Sequence, residues 1–125
     1  MSLVISISGI RGTIGGVPGE GLTPIDAVQF SSAYSAWLIN ESGKERPVVA
    51  LGRDARISGP LVEQLVSATL CAMGVDVILM GLATTPTVEM AVTHLQADGG
   101  IILTASHNPA QLNALKLLNG KGEFL

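Results

Sequence analysis

Two hydrophobic periods alternate along this chain, and the points where one gives way to the other mark out its elements. Short apolar runs rich in β-branched residues at 3–7, 48–52, 75–80 and 99–103 have the length and continuity of strands in a sheet. Three stretches between them carry apolar residues at helical spacing. In the first, Thr23 is placed to cap, Pro24 suits the first helical position, and Asp26 completes a Thr-x-x-Asp box. Ala27, Phe30, Tyr34, Trp37 and Leu38 then form an apolar stripe that ends between Asn40 and Gly43, and its aromatic pair is expected in the core. In the second, Ser58 caps and Pro60 lies in the first turn. Leu61, Leu65, Ala68 and Ala72 lie along one side, Val62, Val66 and Leu70 widen the stripe, and Gly74 stops the helix. The third begins at Pro86 behind Thr84 or Thr85 and carries Val88, Ala91, Val92 and Leu95. His94 falls late in it, where the helix dipole suits a partly positive ring, and its expected role is structural. Residues 112–118 predict a further extended segment, followed by a tight turn at Asn119-Gly120 or Lys121-Gly122.

Strand and helix thus alternate as β-α-β-α-β-α-β. That order predicts one α/β domain over residues 1–125, a three-layer α/β/α arrangement with a mainly parallel, mixed sheet. Such sheets present the carboxyl ends of their strands along one rim, and ligands bind outside it. Arg11, Arg53, Arg56, Ser106 and His107 all fall in predicted loops at strand ends, so chemistry is expected there.

Composition adds a constraint on the surface. Only 14% of the 125 residues are charged while 47% are hydrophobic, and the mean hydropathy is +0.48. An ordinary soluble domain carries about a quarter charged residues, so part of this surface is expected to be covered by further domains or other subunits. The three residues after the last predicted turn are too few for a return strand, which also reads as a piece of a longer protein. A net charge of −3 offers no basic face to displace counterions, so a nucleic-acid partner is not expected. The apolar stretch 75–82 is too short to span a bilayer and contains Asp76, and the amino terminus lacks the regions of a secretory signal. No membrane role is expected. The single Cys71 is expected as a small buried residue in a cytoplasmic chain.

Two segments carry candidate chemistry. Ser8-Gly9-Ile10-Arg11-Gly12-Thr13-Ile14-Gly15-Gly16 reads as a glycine loop, able to take positive φ and to bring backbone close to a ligand. It is either a flexible loop with a solvated arginine or an anion-binding loop in which Arg11 grips phosphate. It is not a Walker loop, which ends in Gly-Lys-Ser/Thr. Its G-x-x-G match to KH domains is four residues long and runs against the acidic balance. The second segment, Thr104-Ala105-Ser106-His107-Asn108-Pro109, follows the strand at 99–103. Pro109 lacks an N–H and keeps Asn108 out of helical geometry, so the chain turns and offers a hydroxyl, an imidazole and an amide. Local chemistry leaves two readings: a Ser/Asn turn bonded to its own backbone, or a ligand loop.

Taken in order, the motifs of this chain resemble the first domain of the α-D-phosphohexomutase superfamily, which includes phosphoglucomutases, phosphomannomutases and phosphoglucosamine mutases. Ser8-Gly9-Ile10-Arg11-Gly12 is similar to the family's S/D-G-I-R-G loop, and Gly52-Arg53-Asp54-Ala55-Arg56-Ile57-Ser58-Gly59 to its G-R-D-x-R-x-S-G motif. Residues 104–109 match its T-A-S-H-N-P phosphoserine loop without a change. The resemblance covers nearly the whole chain.

It implies that Ser106 carries a phosphoryl group and exchanges it with a hexose phosphate through a bound 1,6-bisphosphate. Arg11 then stabilises charge near the transferring phosphate, and His107 orients the phosphoserine or shuttles a proton. Lys116 corresponds to the lysine of the family's N-G-x-K segment, a general acid/base and phosphate contact. Here that segment reads Asn113-Ala114-Leu115-Lys116. If the family glycine needs positive φ, Ala114 is strained; the variant inclines the reading toward phosphoglucosamine mutase. Mg²⁺ is the implied cofactor, with the phosphate oxygens of Ser106 as the ligands this chain supplies. The family's D-x-D-x-D metal loop and its sugar clamp belong to later domains and do not occur in this sequence. The implied partners are a hexose phosphate and the remaining domains of the same enzyme, and the 125 residues alone are expected to lack mutase activity. Within the second motif the expected roles are supporting: Ser58 as a cap, with Asp54 and Arg56 pairing to brace the rim.

Two competing functions differ in what they ask of Ser106. A sugar-phosphate sensor of the same fold needs no phosphate there. A serine hydrolase needs a nucleophile–base pair, which adjacent Ser106 and His107 form poorly, and a Gly-x-Ser-x-Gly elbow, which the chain lacks.

Overall fold

A computed structural model describes residues 4–6, 9–13, 23–55, 59–104 and 112–125, with the backbone only for 4–6, 9–13 and 112–114. Along these the elements run β1 (Val4–Ser6), β2 (Gly9–Thr13), α1 (Pro24–Ser42), β3 (Val48–Arg53), α2 (Gly59–Ala72), β4 (Asp76–Leu82), α3 (Thr85–His94), β5 (Gly99–Leu103) and β6 (Leu112–Leu118). The strands form one sheet in the order β1-β2-β6-β5-β3-β4. β3 pairs in parallel with β4 and β5, while β5–β6, β6–β2 and β2–β1 are antiparallel. The expected α/β/α layering is present. Parallel character is confined to β4, β3 and β5, because β6 returns directly beside β5 and β2 then adds to β6.

Side-chain alternation along the central strands divides the core in two. Val49, Leu51, Ile101, Leu103, Leu115 and Leu117 face Tyr34 and Leu38 of α1 and Val62, Val66 and Leu70 of α2. Ala50, Ile102 and Leu118 point the other way, toward Val88 and Val92 of α3. Two adjacent glycines let both layers press onto β5. A methyl group at Gly100 would lie 2.7 Å from Val92 Cγ2, and one at Gly99 would collide with the Tyr34 hydroxyl.

The first helix begins as its sequence predicts. The Thr23 hydroxyl accepts from the Asp26 N–H (3.3 Å) and donates to Asp26 Oδ2 (2.7 Å), and the same carboxylate accepts the Thr23 N–H (3.0 Å). Gly43, at φ 67°, ends the helix with its N–H on the Ile39 carbonyl. Because Thr23 and Asp26 are both buried, Thr23→Ala is expected to lower the unfolding free energy by about 1–2 kcal/mol, with Thr23→Ser retaining most of it. Urea denaturation checks this; an unchanged midpoint for the alanine variant would contradict it.

Three expectations are corrected. On α2 the buried row is Gly59, Val62, Val66 and Leu70, whereas Leu61 is 52% exposed and Ala68 and Ala72 face outward. Both rows are apolar, so spacing located the stripe but not its centre. The outer row and Val28 of α1 line a shallow apolar groove of about 460 Å³. Cys71, expected inside, is exposed. Trp37 is exposed as well, stacked on buried Tyr34 at a ring separation of 5.8 Å. At the far edge β4 runs two residues beyond its apolar prediction, with an irregular register between Leu51 and Gly52 that leaves Met80 unpaired. Leu79 and Leu82 are exposed there.

Candidate active site at the rim of the sheet

The carboxyl ends of β3, β4 and β5 lie side by side, at Arg53, Leu82 and Leu103. From β3 the chain passes to α2 on one face, and from β4 to α3 on the other. Where neighbouring connections diverge in this way a crevice opens outside the strand ends. Here it measures about 360 Å³ and is lined by Arg53, Asp54, Leu82, Thr84 and Thr104 among others. Thr84 also caps α3, accepting the Thr87 N–H at 3.3 Å.

At this rim β3 and β5 are tied together beyond their ladder. The Asp54 N–H donates to the Leu103 carbonyl (3.0 Å), and the Thr104 hydroxyl donates to Asp54 Oδ2 (2.7 Å). Thr104 is buried. Arg53 lines the crevice and also contacts α2: its Nε faces Glu63 Oε2 at 3.4 Å, and a terminal nitrogen reaches the Asp54 carbonyl at 3.4 Å. Gly59, whose Cα side lies against Arg53 and the Asp54 carbonyl, allows the first turn of α2 to settle over this end of β3.

Arg11 is not in a loop. It lies inside β2, paired with Val4 on one side and Ala114 on the other. A ladder uses backbone groups only, so Gly9 and Gly12 do not prevent a short strand held between two partners. Ala114 correspondingly sits within β6, in extended backbone that alanine adopts without strain. Lys116 pairs with Gly9 of β2 and Ile102 of β5. It is half-buried between Leu115 and Leu117, which face α1 and α2, and so it lies on the α3 side of the sheet. Arg11 and Lys116 are diagonal neighbours on adjacent strands, a relation that separates backbones by roughly 7–8 Å.

Ser106, His107, Arg56 and Ser58 lie outside the described residues, as does the expected pairing of Asp54 with Arg56. The residues that bracket 105–111 are described: Thr104 follows β5 and Leu112 opens β6, two strands that are neighbours in the sheet. The structure therefore sets the strand of Lys116 directly beside the strand that leads into Ser106, with the strand of Arg11 one further out. It places Arg53 at the crevice, where it forms an ion pair with Glu63. The Asp54–Thr104 bond was missed by sequence reasoning, since fifty positions separate the two and nothing in either neighbourhood pairs them.

The fold and rim define the class first: an α/β/α domain whose candidate chemistry lies at the strand ends. Residues 4–125 match the family described as phosphoglucomutase/phosphomannomutase, alpha/beta/alpha domain I, and the chain belongs to that family. Among curated relatives, a phosphoglucomutase/phosphomannomutase of Thermococcus kodakarensis is 42% identical over 113 residues, which are 89% of this chain and 25% of that protein. A phosphoglucosamine mutase of Alkaliphilus oremlandii is 39% identical over 122 residues, 98% of this chain and 26% of the relative. Among solved structures, a phosphoglucomutase/phosphomannomutase family protein from Burkholderia thailandensis superposes with a TM-score of 0.77 at 28% identity, over 95% of this chain and 26% of its own. The chain thus spans about a quarter of the length of the relatives it matches.

Proposed function

We propose that this chain is the phosphoserine-bearing domain of a phosphohexose mutase, which interconverts hexose 1-phosphate and 6-phosphate through a bound 1,6-bisphosphate. The observation that carries the reading is the unaltered Thr104–Pro109 motif, directly after β5, in a chain that belongs to this family. The hexose is glucosamine, glucose or mannose, and the relatives named phosphoglucosamine mutase favour the first. In the forward half-reaction a hydroxyl oxygen of the sugar phosphate attacks the phosphorus on Ser106. The Ser106 Oγ–P bond breaks, the new O–P bond forms, and the hydroxyl proton passes by way of His107 or Lys116 to the departing serine oxygen. The bisphosphate turns over and returns its other phosphoryl group by the reverse step. Phosphoryl transfer depends on positioning and charge stabilisation, for which the cations are Lys116 on β6, the neighbour of β5, and Arg11 on β2, one strand further out.

The expected cofactor is Mg²⁺, which when bound supplies charge neutralisation at the phosphoryl oxygens. Among the described residues no three His, Cys, Asp or Glu side chains come together, so these residues do not by themselves form a cation site. In this reading the chain contributes the phosphate on Ser106, and the remaining ligands and the sugar contacts lie in the rest of the enzyme. Among the described residues no helix is long and apolar enough to cross a membrane. We assign the enzyme to the cytoplasm on the low cysteine content and the sugar-phosphate substrate.

The test is to incubate the full-length protein with a hexose 1,6-bisphosphate and map the product by tandem mass spectrometry. One phosphate on Ser106 is expected. A protein that binds the sugar phosphate yet gains no phosphate there would be a sensor, and the mutase reading would fall.

A further inference from the structure

The Gly52–Gly59 motif has no part in the reaction as written, yet its Arg53 and Asp54 both make side-chain contacts at the rim. Glu63 of α2 faces Arg53 at 3.4 Å, Arg53 reaches the Asp54 carbonyl, and Asp54 Oδ2 accepts the Thr104 hydroxyl at 2.7 Å. Asp54 also donates its N–H to the carbonyl of Leu103 at 3.0 Å. Both backbone and side chain of Asp54 are therefore bonded to the two residues at which the chain leaves β5. Thr104 is 6% exposed and stands two residues before Ser106. Its branched Cβ restricts χ1, and a short hydrogen bond to a carboxylate selects one rotamer and holds it.

We propose that Asp54 is a positioning residue for the phosphoryl carrier, acting through Thr104, which stands two residues before Ser106. The proposal rests on Ser106 as the carrier. In-line transfer demands a placement of the serine oxygen to within a fraction of an ångström, and a displacement of about 1 Å can cost about 100-fold in rate. A residue that follows closely on a strand end has that accuracy only if the strand end is itself anchored. Asp54 supplies the anchor, its N–H bonded to the Leu103 carbonyl and its carboxylate to the Thr104 hydroxyl. Asp54 need not touch the substrate for this.

The experiment uses the full-length enzyme and compares Asp54→Asn, Thr104→Val, Thr104→Ser and the Asp54→Asn/Thr104→Val double variant. The readouts are the rate of Ser106 phosphorylation by a hexose 1,6-bisphosphate, kcat and KM for the hexose phosphate, and the thermal midpoint. Thr104→Val is expected to slow phosphorylation and kcat by about 100-fold and Asp54→Asn by about 10-fold, with KM little changed. Thr104→Ser, which keeps the hydroxyl, is expected near the wild-type rate. The double variant is expected to be no slower than Thr104→Val alone, since both substitutions remove one interaction. Wild-type rates in Asp54→Asn and Thr104→Val would overturn the proposal. So would equal losses in Thr104→Val and Thr104→Ser that follow their thermal midpoints, which would mark a structural role only. If Thr104→Val does not fold, slow transfer in Asp54→Asn with normal transfer in Thr104→Ser supports the proposal, and normal transfer in both overturns it. Wild-type enzyme that gains no phosphate on Ser106 would remove the carrier itself, an outcome separate from any of these.

Discussion

Ser106→Ala is expected to abolish hexose phosphate turnover in the full-length protein, lowering kcat by on the order of 10⁴-fold or more. In the proposed reaction the serine oxygen is the only place the phosphoryl group rests between its two positions on the sugar. Without it, a bound monophosphate has no donor, and added bisphosphate has no acceptor through which to begin a cycle. Supplying hexose 1,6-bisphosphate should therefore fail to restore activity, which separates loss of the carrier from mere loss of its priming. The substitution removes one hydroxyl and no charge from the unphosphorylated protein, so binding of the sugar phosphate should persist. A coupled assay of the isomerised product, run beside calorimetric binding, reads both. Turnover in the alanine variant within tenfold of wild type would show that the phosphoryl group travels by another residue, with neighbouring His107 the first to examine.

The second large effect concerns stability. Gly99→Ala should cost about 3–5 kcal/mol, combining overpacking of a tight core with disruption of buried hydrogen bonds. The new methyl group would collide with the Tyr34 hydroxyl and lie 3.2 Å from the Leu118 carbonyl and 3.3 Å from Leu38 Cδ1. That hydroxyl has little freedom to yield. It donates to the Leu118 carbonyl at 2.6 Å and accepts the Gly100 N–H at 3.1 Å, joining α1 to both strands of the β5–β6 pair. Burial pushes the Tyr34 hydroxyl well above the usual phenol range, against a smaller opposing effect of its hydrogen bond with Gly100, so it remains a protonated donor. Tyr34→Phe alone should cost about 2 kcal/mol by leaving two backbone groups unpaired. In the Gly99→Ala/Tyr34→Phe double variant the collision disappears, and the combined loss should fall well short of the sum. Urea denaturation of the four proteins closes the cycle; strict additivity would show that the methyl group is accommodated elsewhere.

What the sequence made legible was whatever local rules decide. Thr23, Pro24 and Asp26 announce a helix start that needs no tertiary partner, and β3 and β5 are continuous apolar runs that fit only the middle of a sheet. Legibility failed where two answers were equally apolar or where a partner lay far along the chain. On α2 both rows of side chains could have been the core face, and packing against β3 and β5 chose Val62, Val66 and Leu70. Gly9–Thr13 looked like a loop because glycines dominate it, but its ladder with Lys116–Leu112 is made by backbone. At the site, the family motif located Ser106, while its support by Asp54 depended on a contact across fifty positions. Arg53 lines the rim crevice as its place at a strand end suggested, while its pairing with Glu63, ten residues on inside the following helix, was not legible.

The register of β2 bears on when the site comes into being. The unit β3-α2-β4 closes within residues 48–82 and can form as it is synthesised. By contrast Arg11 is laid against Ala114, a pairing across about a hundred residues, the kind of contact that forms slowly because a long loop must close first. Translation proceeds from the amino terminus, so the segment bearing this arginine leaves the ribosome well before β6 does. It must nevertheless wait for β6 before it has its inner neighbour. Arg11, proposed to hold phosphate, is thus made about a hundred residues before its inner neighbour, and the proposed site is assembled only once the chain has passed Ser106.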